Sequence, residues 1–127
     1  MGHYSTGTPN IGLGVIVFDG TNLWAGTQQH EIRKLRNQDG SLIASFQVGG
    51  VATALAFDGA NIWVAMKSND TLLKLRSTDG FIAGTFNLSP GSAPASLVFD
   101  GLDLWIANSG TNTISKLRPA DGTIIGS

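Results

Sequence analysis

The chain has 127 residues, 42% of them hydrophobic and only 13% charged, with 17 glycines and no cysteine. That length suits one domain, and the lack of cysteine excludes disulfides and thiolate metal sites. A net charge of −1 leaves no basic footprint for nucleic acid or an anionic membrane, and no apolar run approaches the roughly 20 residues of a membrane helix.

The chain opens on Met1-Gly2-His3-Tyr4, which has neither the basic nor the apolar region of a signal peptide. The first apolar run is Val15-Ile16-Val17-Phe18, and Asp19-Gly20 follows it. Gly accepts positive φ and Asp bonds to nearby backbone, so this pair predicts a tight turn. Leu23-Trp24-Ala25 reads as a second strand, Gly26-Thr27-Gln28-Gln29-His30-Glu31 as a polar loop, and Lys34-Leu35-Arg36 as the heart of a third strand. The turn Asn37-Gln38-Asp39-Gly40 leads into a fourth, Leu42-Ile43-Ala44-Ser45-Phe46.

The same order then recurs. Ala54-Leu55-Ala56-Phe57, Ile62-Trp63-Val64-Ala65, Lys74-Leu75-Arg76 and Phe81-Ile82-Ala83-Gly84-Thr85-Phe86 form the second set. Ser96-Leu97-Val98-Phe99, Leu104-Trp105-Ile106-Ala107, Lys116-Leu117-Arg118 and the stub Thr123-Ile124-Ile125 form the third. The tryptophans are spaced by 39 and 42 residues, and Phe-Asp-Gly precedes each of them. A period near 40 residues marks a repeat architecture.

The first two strands of each set are almost continuously apolar, as strands buried on both faces are. The third alternates: Ile114, Lys116 and Arg118 face one way, Thr113, Ser115 and Leu117 the other. Buried inner strands and more polar outer ones describe a β-propeller blade, with the first strand innermost. The fold class is therefore all-β, a propeller of three four-stranded antiparallel blades per chain. Residues 1–10 form an N-terminal tail or ring-closing segment, 11–49 blade 1, 50–91 blade 2, and 92–127 blade 3 with its last strand truncated. Trp24, Trp63 and Trp105 are expected in equivalent buried sites. Asp19, Asp58 and Asp100 are structural turn residues.

The stretch Phe99-Asp100-Gly101-Leu102-Asp103-Leu104-Trp105-Ile106-Ala107-Asn108-Ser109-Gly110-Thr111-Asn112-Thr113 resembles the bacterial YVTN-type repeat. It is similar to the blades of YncE-like and virginiamycin-B-lyase-like propellers. The second repeat departs from the pattern with Ala65-Met66-Lys67-Ser68-Asn69-Asp70-Thr71, and the first is one residue shorter. The resemblance implies a propeller and favours a secreted or periplasmic setting. The lyase-like families imply catalytic His and Glu residues, which are scarce here, so their activity does not carry over.

Propellers have four to eight blades, so three do not close. Either the chain is a piece of a longer propeller or copies share a ring. Closed two-fold oligomers are the commonest, so a homodimer completing six blades is the favoured partner. Tyr4 precedes Phe18 by 14 residues as Phe86 precedes Phe99 by 13. Tyr4 of one copy is thereby placed to follow Ser127 of the other and supply the aromatic that Phe46 and Phe86 supply elsewhere.

Six turn aspartates (19, 39, 58, 79, 100, 121) and the six Lys and Arg residues of the third strands belong to the architecture, twelve of the seventeen charged side chains. Glu31, Arg33, Lys67, Asp70 and Asp103 remain. His3 lies in the tail. His30 beside Glu31 lacks metal-ligand spacing and a nucleophile, so neither metal nor cofactor is expected and no catalytic residue is assigned.

Blade topology puts the uniform Asp-Gly turns at one end. At the other lie variable loops carrying Gln28, Gln29, His30, Lys67, Asn69, Asp70, Asn108, Thr111 and Asn112. Loops on a rigid scaffold are where binding concentrates, so these nine are the candidate contacts for a protein or small ligand. Substitution at Gln29, His30, Asp70 or Asn112 is expected to leave stability within about ±0.5 kcal/mol. The function expected is a non-enzymatic binding or interaction scaffold. The alternative is a lyase-like or hydrolase-like propeller enzyme whose site is assembled from several blades.

Overall fold

The computed structural model describes residues 13–126. Tyr4 and Ser127, invoked for ring closure, lie outside them, as does His3. Blade 1 comprises β1 (Leu13–Phe18), β2 (Asn22–Thr27), β3 (Glu31–Arg36) and β4 (Leu42–Gln47). Blade 2 comprises β5 (Ala54–Phe57), β6 (Asn61–Met66), β7 (Thr71–Arg76) and β8 (Ile82–Asn87). Blade 3 comprises β9 (Pro94–Phe99), β10 (Leu104–Asn108), β11 (Thr113–Arg118) and β12 (Thr123–Gly126). Each is an antiparallel sheet in sequence order. Helix among the described residues is limited to a 3-10 turn at Lys67–Asn69.

The register repeats with the sequence. Val17, Trp24, Lys34 and Ala44 line up across blade 1. Their counterparts are Ala56, Trp63, Lys74 and Gly84 in blade 2, and Val98, Trp105, Lys116 and Gly126 in blade 3. The outer pair of each blade slips register directly after that lysine. Such a bulge bends the outer strand and increases its twist.

Strands β1, β5 and β9 are innermost, and β5 packs against both others. Trp24 and Ile32 of blade 1 share a core with Leu55, Ile62, Val64, Leu73 and Leu75 of blade 2. Trp63 and Leu72 of blade 2 share a second core with Leu104, Ile106 and Leu117 of blade 3. Phe46 stacks on Trp24 at 5.7 Å between centroids, and Phe86 meets Trp63 at 5.3 Å. These two rings reach forward to the next blade. A Cβ on Gly80 would fall inside the Phe46 ring, and one on Gly122 inside the Phe86 ring. Both glycines also have φ near +72°, so the turn needs glycine for backbone and for space.

The end blades differ from the middle one. Strand β5 is buried on both faces, whereas β1 and β9 alternate between half-buried and exposed side chains along most of their length. The expected equivalence of the tryptophans therefore holds only in part. Trp24 and Trp63 are completely buried, but Trp105 is only half-buried. Its face of blade 3 has no described blade against it.

Trp63→Ala is expected to cost about 3–5 kcal/mol in urea denaturation, as for a buried large aromatic. Trp105→Ala should cost clearly less when measured where the chain is a single copy, since there the ring is only half-buried. Equal losses would contradict the difference in burial.

Candidate functional site

The two ends of the blades are built differently, and that difference locates the candidate surface. At the Asp-Gly end, one side chain organises each turn. Asp19 Oδ1 accepts the N–H groups of Thr21 and Asn22 at 2.8 and 2.6 Å, and its Oδ2 accepts the Trp24 indole N–H at 2.8 Å. Asp58 holds Ala60, Asn61 and Trp63 in the same way, and Asp100 holds Leu102, Asp103 and Trp105. The Trp105 indole and the N–H groups of Asp103 and Leu102 hold the Asp100 carboxyl down at about 2. Burial pushes the Asp19 carboxyl up, but its donors, led by the Asn22 N–H, outweigh this and leave it lowered.

The turns joining the two outer strands are equally committed. Arg76 pairs with Asp79, which holds the Asp79 carboxyl below its ordinary range. Arg118 lies 3.6 Å from Asp121. Asp39 accepts the Ser41 hydroxyl and N–H. A shallow concavity of about 440 Å³ lies at this end, lined by Asp58, Phe99, Leu102, Asp103, Arg118 and Pro119 among others. Its charged groups are those same turn residues.

At the opposite end, His30, Asp70 and Asn112 occupy one repeat position. All three are left-handed, with φ of 64°, 52° and 58°. His, Asn and Asp are enriched among the non-glycine residues that adopt this conformation. The His30 carbonyl accepts the Val48 N–H at 2.9 Å, and the Asp70 carbonyl accepts the Leu88 N–H at 2.8 Å. His30 is thus a turn residue with an exposed side chain. Gln28, Gln29, Lys67, Asn69, Thr111 and Asn112 are also exposed at this end.

Two candidate contacts are placed otherwise. Asn108 is buried on β10, where its Nδ2 donates to Ser115 Oγ at 2.9 Å. The Asp70 carboxylate accepts the Ala93 N–H at 2.7 Å and the Gly91 N–H at 2.9 Å. These bonds staple the blade 2 loop to the linker entering blade 3 and hold the Asp70 carboxyl below its ordinary range. The expectation that Asp70 could be replaced without cost therefore does not stand.

Glu31 is also occupied. It accepts Arg33 Nε and Nη2 at 3.2 and 3.1 Å and the Gln47 amide at 3.5 Å. No cluster of three His, Asp or Glu with metal-binding proximity occurs among the described residues. The groove along the inner strands is lined by Val17, Phe18, Leu55, Ala56, Phe57, Leu97, Val98 and Phe99, none of them titratable.

Sequence reasoning missed the role of the repeated lysines. Lys34, Lys74 and Lys116 lie 5.2–5.5 Å above the rings of Trp24, Trp63 and Trp105. Lys34 Nζ then donates to the Ser77 carbonyl at 3.0 Å, and Lys74 Nζ to the Pro119 carbonyl at 2.7 Å, each in the following blade. The constant spacing of Trp and Lys in the repeats was the signal that could have revealed it.

No family model and no curated protein matches the chain. Among solved structures it is similar to Kuenenia stuttgartiensis hydrazine synthase, at 18% identity and TM-score 0.79, over 98% of this chain and 38% of that one. It is similar to Myxococcus xanthus glutaminyl cyclase at 18% identity and TM-score 0.77, over 97% of this chain and 52% of that one. It also matches the RRP9 WD40 repeats at 14% identity and TM-score 0.79, over 93% of this chain and 38% of that one. The chain thus spans about two-fifths to one-half of these structures. At such identities the likeness is one of fold: the chain is part of a β-propeller.

Lowered carboxylates favour the folded state above their unfolded values, and that contribution is lost as pH falls through the folded ones. Asp70→Asn is expected to lower Tm at neutral pH, with the gap to wild type narrowing below about pH 4. Gln29→Ala should stay within about ±0.5 kcal/mol of wild type at all pH. A pH-independent Asp70→Asn effect in thermal melts would show that the carboxylate charge is not what holds the linker.

Proposed function

We propose that the chain is a non-enzymatic interaction scaffold of the YVTN-like propeller type, with blades at 11–49, 50–91 and 92–127. Its partner-binding surface is the loop end, and two copies complete one six-bladed ring. The observation that carries this reading is how the charged groups are used. The Asp-Gly end spends its carboxylates and cations on its own turns and junctions, and the inner groove is lined by side chains that do not titrate. At the loop end, Gln28, Gln29, Lys67 and Asn69 are exposed, and they vary from blade to blade. Variable polar side chains on a rigid frame provide adaptable hydrogen bonding to a protein surface.

The test is capture of protein partners by the immobilised chain. Replacing Gln28, Gln29, Lys67 and Asn69 together by Ala is expected to abolish capture while leaving the circular dichroism spectrum unchanged. Replacing Asn37, Gln38 and Thr78 by Ala at the other end should leave capture intact. Loss in the second variant and not in the first would overturn the assignment of the face.

A further inference from the structure

Each blade has a forward face, turned toward the next blade, and a rear face, turned toward the previous one. Two forward faces are covered within the chain, and both use the same contacts. Ile32 of blade 1 and Leu72 of blade 2 are fully buried there. The matching residue of blade 3, Ile114, is 59% exposed. Around it Ser96, Val98, Trp105 and Ala107 line an apolar groove of about 290 Å³. The rear faces show the same contrast. Leu55 of blade 2 is 9% exposed where blade 1 covers it, but its blade 1 counterpart Ile16 is 62% exposed, with Phe18 beside it at 49%.

The polar clamp is similarly incomplete. Lys34 and Lys74 donate to carbonyls of Ser77 and Pro119, the residues that directly follow Arg76 and Arg118. The corresponding residue of blade 1 is Asn37, after Arg36. Lys116 sits over Trp105 as its counterparts sit over theirs, but its Nζ lies 3.5 Å from Asp103 in its own blade.

We propose that the forward face of blade 3 docks on the rear face of blade 1 of a second copy, in the register of the two junctions inside the chain. Lys116 Nζ donates to the Asn37 carbonyl of that copy. Ile114, Val98 and Trp105 cover its Ile16 and Phe18. The occupant is a second copy because blade 1 presents the complement that blades 2 and 3 already present to their predecessors: an apolar inner strand and a free carbonyl after the Lys-Leu-Arg phrase. Two-fold symmetry makes both junctions of the ring identical. The inference rests on the two-copy ring proposed above and names the surfaces that close it.

Analytical ultracentrifugation of the full chain at micromolar concentration tests it. Wild type is expected at twice the 13.3 kDa chain mass. Ile114→Glu and Val98→Glu replace side chains that are exposed in the single chain, so they should keep the wild-type circular dichroism spectrum and sediment as monomers. Lys116→Met keeps the aliphatic stem over Trp105 and removes the donor. It is expected to raise the dissociation constant about 100-fold, about tenfold for each of two junctions. Lys74→Met, inside the chain, should lower Tm with no comparable change in dissociation. A monomeric wild type overturns both this junction and the ring. A wild-type dimer unaffected by Ile114→Glu and Lys116→Met keeps a two-copy assembly and overturns this junction.

Discussion

One carboxylate in each repeat sets the position of almost everything else. The turn aspartate uses one oxygen to close the hairpin between the two inner strands and the other to hold the indole of the tryptophan five residues on. A buried indole N–H needs an acceptor, and here the acceptor also shapes the backbone turn. With the indole fixed, its ring becomes a platform. The strand-three lysine lies over it and the strand-four aromatic, where present, packs against it. The lysine then reaches the next blade's carbonyl, and the aromatic reaches the next blade's glycine. A local turn is thus coupled in three steps to the junction between blades.

That chain of contacts explains why so few charges suffice. A lysine ammonium at a junction between apolar faces would be costly without partners. The π face and the carbonyl together take the place of part of the water around this half-buried group, while its stem covers hydrophobic surface. The cost of burial is met by the same elements that define the repeat. In blade 3 the lysine lies over the same platform, and its Nζ is 3.5 Å from Asp103, which stands where blades 1 and 2 have Asn22 and Asn61.

The loop end follows a different logic. Its backbone is pinned by left-handed residues and by linker hydrogen bonds, which leave several side chains without a structural task. Asp70, Glu31 and Asn108 are not among them: the Asp70 carboxylate accepts two linker N–H groups, Glu31 pairs with Arg33, and Asn108 donates to Ser115. A rigid backbone with dispensable side chains is what allows the loops to vary while the blades remain the same.

The sequence alone determined the strands, their order and the blade fold, because the Phe-Asp-Gly turn, the Trp and the Lys-Leu-Arg phrase recur at one period and each has a local physical meaning. It also placed the polar loops at one end, since topology alone requires that. Only the tertiary structure decided what individual side chains do there. Asn108 and Asp70 look alike in sequence, as polar residues bordering a loop. Burial on β10 and the Ser115 hydroxyl claim the first, and linker N–H groups claim the second. The role of Lys34 and Lys74 was equally hidden, because their acceptors lie 43 and 45 residues away. The difference between Trp63 and Trp105 has the same cause. Identical local phrases acquire different burial from what stands against them, which depends on the neighbouring blade and not on the phrase.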